Sequence, residues 1–173
     1  TVIAVRRSNG KLDFLSRPLD FIYDKSTDSF IISEEVSRRV IRWPRSEDKQ
    51  IEILVSDIDP WGIALDKYGY LYVCDHKKHE VKRWKIGEST GTVVAGGNNK
   101  GCHMNQLKRP TFIRVDDDQS VYVSDRGNSR IIKWPKGASQ GIIVAGGQDQ
   151  HKVFLHLYDP FGFVLDRSGN IYV

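Results

Sequence analysis

The chain has 173 residues, of which 39% are hydrophobic and 28% charged, and its formal net charge is +4. This length allows one domain with a real core, and the mild positive charge permits an anionic partner without requiring one. No apolar run approaches the roughly 20 residues that a membrane helix needs, so no membrane segment is expected in this stretch.

A short motif recurs four times along the chain and reads Pro-x-x-apolar-x-apolar-Asp. Its copies begin at Pro18, Pro60, Pro110 and Pro160. Each is followed by an aromatic residue six positions after the Asp, and the first three then reach a tryptophan; these residues are Phe30, Tyr72, Tyr122 and Tyr172, with Trp43, Trp84 and Trp134. A period of about 40 to 50 residues indicates a repeat architecture. An aromatic residue at a fixed repeat position is expected in the core between repeats.

The elements predicted in chain order are short strands separated by turns. Residues 1–5 are predicted as the outer strand of a preceding unit, residues 18–55, 60–97 and 110–147 as three complete units, and residues 160–173 as the first two strands of a further unit. In the third unit we expect strands at 112–115, 121–124, 130–134 and 141–145. Four antiparallel strands in about 40 residues form one blade of a β-propeller. Because both ends fall inside apolar runs, we interpret the chain as part of a longer protein that supplies the remaining blades.

Several positions within each unit match a known repeat. Residues 59–75 read Asp-Pro-x-Gly-Ile-Ala-Leu-Asp-x-x-Gly-x-Leu-Tyr-Val-x-Asp, and residues 122–131 carry a second matching stretch. Over nearly the whole chain this pattern resembles the NHL repeat. The resemblance implies an all-β, NHL-type β-propeller, which in that family usually has about six blades. This chain would then hold three complete four-stranded blades and a partial blade at each end.

One signature of the family connects two strand ends in each unit. Its Asp-x-x-Asn-x-Arg pattern is intact only at Asp125, Asn128 and Arg130. A carboxylate at one strand end can hold the guanidinium at the start of the next strand. We therefore expect structural ion pairs between Asp125 and Arg130, and between Glu34 and Arg39.

The second unit departs from this signature. It keeps Asp75 but carries Lys78 and Glu80 where the intact copy has asparagine and arginine. We expect Glu80 to turn outward toward a neighbouring lysine.

Arg114 is the first candidate for ligand binding. The innermost strands of a propeller line its central channel. The matching positions in the other units are apolar, at Ile22, Ala64 and Val164. We expect Arg114 to present a positive charge to a ligand at the channel, or else to pair with a carboxylate or reach solvent.

The turns between the second and third strands supply further binding candidates. They are rich in basic residues, namely Arg38, Arg39, Lys77, Lys78, Arg126 and Arg130. On one face of the disc, with Trp61 and Tyr68 nearby in sequence, such charges would favour single-stranded nucleic acid. Interspersed acidic residues favour a mixed, solvated surface instead.

The cysteine and histidine residues do not indicate a catalytic or metal site. Two cysteines, Cys74 and Cys102, are too few for a disulfide framework. A zinc site needs three or four converging ligands, and the strand pattern gives no reason for His76 or His79 to converge with them. We predict no catalytic residue, no metal and no cofactor.

The expected function is a non-catalytic scaffold that binds a protein or peptide ligand, because blades present variable loops on a rigid frame. The resemblance implies that it serves as the substrate-recognition part of a larger protein such as a ubiquitin ligase. Two alternatives stay open: single-stranded RNA binding through the basic face, and a metal-dependent lyase or lactonase-like enzyme. The sequence indicates no compartment.

Overall fold

The computed structural model describes residues 5–8, 11–46, 48–147, 157–166 and 168–173. These residues form strands and one short 3₁₀ turn, Arg126–Asn128. The protein is thus nearly all-β, which confirms the predicted fold class. Of the strand predicted at residues 1–5, only Val5 lies within the described part. No helix in that part is long and apolar enough to cross a membrane.

Three antiparallel sheets of four strands follow one another along the described chain. The first sheet contains β3 (Pro18–Asp24), β4 (Ser29–Glu34), β5 (Arg39–Pro44) and β6 (Glu52–Ser56). The second contains β7 (Pro60–Leu65), β8 (Tyr70–Asp75), β9 (Glu80–Lys85) and β10 (Thr92–Gly96). The third contains β11 (Ile113–Val115), β12 (Val121–Asp125), β13 (Arg130–Trp134) and β14 (Ile142–Gly146). Two-stranded sheets flank them, β1 (Val5–Ser8) with β2 (Lys11–Phe14), and β15 (Val164–Leu165) with β16 (Ile171–Tyr172).

The Asp that ends the repeated motif holds the turn of the first hairpin. Asp66 Oδ1 accepts hydrogen bonds from the backbone N–H groups of Tyr68 and Tyr70, each at 2.9 Å. Asp116 and Asp166 accept the same two bonds from the residues two and four positions further on. A carboxylate that bonds its own following backbone stabilises a tight turn. The motif therefore recurs because each hairpin needs this residue.

The first sheet breaks the aromatic pattern read from the sequence. Trp43 pairs with Phe30 across β5 and β4, whereas Trp84 pairs with Leu71 across β9 and β8. Phe30 therefore takes the position of Leu71 and not that of Tyr72, so its assignment as a repeat of Tyr72 is wrong. By the strand register, the turn between β3 and β4 is one residue longer than that between β7 and β8. The residues that follow it in the first sheet are therefore shifted by one position relative to those of the second sheet.

Apolar cores lie between neighbouring sheets. Trp84 is buried in the core shared by the first and second sheets, and Tyr72 and Trp134 are buried in the core shared by the second and third. Strand β7 contacts both β3 and β11. The first strands of the three sheets therefore lie side by side around one axis, and the fourth strands lie outermost.

Candidate functional site: an aromatic cluster near the axis

Three aromatic side chains come together where the first strands begin. Trp61 lies directly after the proline of its motif, as does Phe161, and their ring centroids are 5.4 Å apart although their units are not adjacent along the chain. His76 stacks on Trp61 with centroids 4.6 Å apart and planes inclined by 14°. Phe161 exposes 59% of its surface, and the other two are half-buried. These three residues, called the aromatic cluster below, present ring surface to solvent beside the axis.

A hydrogen bond fixes the orientation of the His76 ring. Its Nδ1 lies 2.9 Å from the carbonyl oxygen of Pro110. Burial lowers the pKa of His76 below its ordinary value of 6.5, and the nearby charges of Arg109 and Arg126 lower it further, against the bond to Pro110. The imidazole is therefore neutral near pH 7. Since a carbonyl can only accept, Nδ1 carries the proton and Nε2 is left as an acceptor.

Phe161 is held from two sides. The Thr111 hydroxyl donates to its carbonyl oxygen at 3.0 Å. The Arg126 guanidinium carbon lies 5.7 Å from its ring centroid, and the same guanidinium donates two bonds to Asp159, at 2.6 and 2.5 Å. The hydrogen bonds from Arg126 hold the pKa of Asp159 below its usual range. A bidentate pair of this kind positions the cation at the edge of the cluster.

Arg114 lies on β11 and is half-buried. Its guanidinium carbon is 4.3 Å from the centroid of the Phe112 ring, and Nη1 donates to the carbonyl oxygen of Ile113 at 3.2 Å. Burial lowers the pKa of Arg114, and the charge of Asp20 on β3 opposes that shift. Asp20 itself accepts a bond from the backbone N–H of Ile63 at 2.9 Å. Its pKa is raised, chiefly by burial. The Arg114 guanidinium therefore packs on the face of the half-buried Phe112 ring.

The basic turns are largely neutralised by ion pairs. Arg38 and Lys77 both bond the Asp59 carboxylate, at 2.5 and 2.6 Å. Three further pairs join Arg39 to Glu34 at 2.5 Å, Arg130 to Asp125 at 2.7 Å, and Arg126 to Asp159. Lys78 lies in the turn after Asp75, and its backbone N–H donates a hydrogen bond to the Asp75 carboxylate. The surface formed by these turns is mixed in charge rather than strongly cationic.

Glu80 does not turn outward as expected. It is 8% exposed, and its carboxylate lies 3.1 Å from Lys82 Nζ. The anticipated lysine partner is present, but the pair is mostly buried.

The described cysteines and histidines do not converge on a metal site. Cys74 is buried and Cys102 is exposed, and both are free thiols. His79 Nδ1 accepts from the backbone N–H of Arg109 at 3.2 Å, whereas His76 is bonded to Pro110. Within the described ranges, no group of three or more His, Cys, Asp and Glu side chains could hold a metal ion.

The aromatic cluster was not predicted from the sequence. A usable signal exists, because the position after the repeated proline holds Trp61 and Phe161 in two units but leucine and threonine in the others. An aromatic residue that recurs irregularly at the start of an inner strand is unnecessary for the repeat. It therefore marks a position free to serve binding.

Comparison with known proteins finds one matching repeat and several similar structures. Residues 107–134 match the model of the NHL repeat. The structure of a catalytically inactive virginiamycin B lyase from Staphylococcus aureus with quinupristin is similar, with a TM-score of 0.65 and 13% identity over 96% of this chain and 53% of the lyase. A gluconolactonase from Xanthomonas campestris has a TM-score of 0.64 and 16% identity over 91% of this chain and 69% of the gluconolactonase. A structure of a nidogen/laminin complex has a TM-score of 0.61 and 14% identity over 77% of this chain and 51% of the matched chain.

These similarities establish the fold alone, because the identities are low. They show a β-propeller fold, and the chain spans about half the length of the lyase to which it is similar. A search of curated proteins found no match.

Proposed function

We propose that this propeller region is a non-catalytic scaffold that binds a protein or peptide partner near the axis. The observation that carries the proposal is the aromatic cluster, in which the exposed Phe161 ring contacts the half-buried Trp61 ring of another unit, and Trp61 stacks on His76. Tryptophan and other aromatic side chains supply much of the binding energy of protein interfaces. The cluster places such side chains beside the fixed polar groups of His76 and Arg126.

The chemistry of the cluster limits what it would recognise. The Trp61 and Phe161 rings offer apolar surface, and His76 Nε2 offers a hydrogen-bond acceptor. Arg126 at the edge is already paired with Asp159, so it contributes a positioned rather than a free charge. The partner we infer is a peptide segment with an apolar or aromatic side chain next to a hydrogen-bond donor.

A peptide selection with matched variants tests this proposal. Random peptides displayed on phage would be selected on the protein, and the affinities of the enriched peptides measured by calorimetry. The proposal expects Trp61→Ala and Phe161→Ala each to weaken binding at least about tenfold, or roughly 1.4 kcal/mol. Tyr68→Ala is the control, since Tyr68 is 62% exposed but lies in the hairpin turn at the other end of β7. Equal loss in all three variants, or no loss in the first two, would contradict it.

The wider role that we propose is substrate recognition for a larger protein such as a ubiquitin ligase. If so, Trp61→Ala in the full-length protein should abolish modification of the bound partner and leave self-modification intact. Loss of both activities, or of neither, would count against this role.

The RNA alternative has less support, because the basic turns are occupied by ion pairs. A gel shift with single-stranded RNA at low salt tests it, and the absence of a shift would remove it. The enzyme alternative draws on the lyase and gluconolactonase structures that share the fold. Metal analysis of the full-length protein addresses it, since a bound cation with cation-dependent turnover would overturn a purely non-catalytic role.

A further inference from the structure

The segment between the second and third sheets is held by one set of residues. This segment, residues 98–108, is called the connector. Arg130 is 3% exposed and donates to the carbonyl oxygens of residues 102, 103 and 106 at 2.9, 3.1 and 2.9 Å. Asn128 donates to the carbonyl of residue 101 at 2.8 Å, and the backbone N–H of Gly141 donates to that of residue 104 at 2.8 Å. Asp125 accepts from Arg130 and from the backbone of residue 108, each at 2.7 Å.

The second sheet has residues at the same positions but no connector packed against them. The counterparts at the same repeat positions are Asp75 for Asp125, Lys78 for Asn128, Glu80 for Arg130 and Gly91 for Gly141. Only residues 57–59 join β6 to β7, and this link is too short to reach across these four residues. Asp75, Lys78 and Gly91 instead line an open groove of about 410 Å³ between β6 and β9.

The groove has an apolar floor. Val55, Ile58 and Trp84 are buried beneath it, and Leu54 is half-buried. At its edge Ile53 exposes 56% of its surface on the outermost strand. A surface of this kind matches a segment of chain that packs apolar side chains while its backbone bonds the rim, as the connector does one sheet further on.

The second sheet lacks the cation that Arg130 supplies in the third sheet, although Lys78 and Lys82 line the groove. Asp75 and Glu80 face each other across β8 and β9, at the position where Asp125 faces Arg130 and where Glu34 faces Arg39. Like charges directly opposite on neighbouring strands are destabilising. Lys82 offsets part of this charge by pairing with Glu80.

Asp75 is buried opposite Glu80. It is 1% exposed. Burial raises the pKa of Asp75, the hydrogen bond and the charge of Lys78 oppose this shift, and the negative charges of Asp59 and Glu80 add to it. Because the two carboxylates belong to paired residues of neighbouring strands, a cation placed between them would be bound favourably.

We propose that this groove binds an extended segment of a partner protein that carries an arginine, with the segment in the place of the connector and the guanidinium between Asp75 and Glu80. Arginine is favoured over lysine because its planar fork can bond two carboxylates at once. The site is separate from the aromatic cluster and goes beyond the proposed function.

The test uses phage-displayed peptides of 12 random residues selected on the protein, with Glu80→Arg as the diagnostic variant. That substitution supplies the missing cation from within and should keep the fold, since it restores the pairing of the third sheet. We expect the selected peptides to contain arginine, to weaken at least about tenfold when that arginine is changed to lysine or alanine, and to lose binding to Glu80→Arg. Asp117→Arg makes the same charge change on a side chain that is 92% exposed and should bind normally.

Three results would overturn the proposal. One is a selection that yields no peptide sensitive to Glu80→Arg. Another is self-association of the protein that Glu80→Arg abolishes, which would make a second copy the occupant. The third is stabilisation by a divalent cation alone that Glu80→Arg removes, which would make this a metal site. Peptides of the aromatic cluster stay distinguishable, because they respond to Trp61→Ala and not to Glu80→Arg.

Discussion

Replacing Arg130 by methionine should be among the most damaging single changes in the third sheet. Arg130 is almost fully buried and donates hydrogen bonds to one carboxylate and three backbone carbonyls. Methionine keeps much of the volume but leaves Asp125, itself 0% exposed, as an unpaired buried charge. Breaking a buried pair by removing one partner costs about 3–5 kcal/mol, and the orphaned carbonyls act in the same direction.

The measurement is the free energy of unfolding from urea titrations followed by tryptophan fluorescence. The double variant Asp125→Asn, Arg130→Met removes the stranded charge and should be more stable than Arg130→Met alone, which a double-mutant cycle quantifies. Arg45→Met is the control, because Arg45 and its partner Asp28 have side chains that are 58% and 60% exposed, and little change is expected. A cost below about 1 kcal/mol for Arg130→Met, comparable with the control, would refute the reasoning.

Three further predictions follow from burial and close approach. Gly62→Ala should lower the free energy of unfolding by about 1–3 kcal/mol, because a Cβ there would lie 2.7 Å from the carbonyl oxygen of Thr111; a neutral urea titration would contradict this. His76 should titrate by NMR with a midpoint below 6.5, and a midpoint above 6.5 would be inconsistent. Because the unfolded state then binds the proton more readily than the folded state, the contribution of His76 to stability is present above pH 6.5 and is lost as the pH falls toward the pKa of the folded state. In the native protein a thiol reagent should label Cys102 and spare Cys74, which is fully buried and whose pKa is raised well above 9.0; labelling of both would show that the second sheet opens.

The fold was largely readable from local patterns. The third strand of the third sheet was expected at 130–134 and is observed at Arg130–Trp134, and the motif Asp marks the turn between the first two strands of each unit. Such features depend on alternation along short strands and on turn residues, both of which are local properties. The register of the first sheet was misread from the aromatic residue that follows the motif Asp, although the longer distance from Asp24 to Trp43 than from Asp66 to Trp84 marks the extra turn residue.

The candidate site depends on contacts between units and was therefore harder to predict from the sequence. The partners that neutralise Arg38 and Arg126 are Asp59 and Asp159, each of which is the residue directly before the following unit. Trp61 and Phe161 meet because the first strands lie around one axis. The spacing of residues along the sequence does not predict this contact. The departures between copies were visible, at Glu80 and at the short link between β6 and β7, but their common location beside one groove required the structure.

The most direct test of a partner bound near the axis is site-specific photocrosslinking. A benzoylphenylalanine would replace Phe161 in one sample and Tyr68 in another, each incubated with a peptide selected on the wild-type protein and irradiated. If the aromatic cluster is the binding surface, the peptide should be captured from position 161 and not from position 68. Capture from position 68 alone, with none from position 161, would contradict the account.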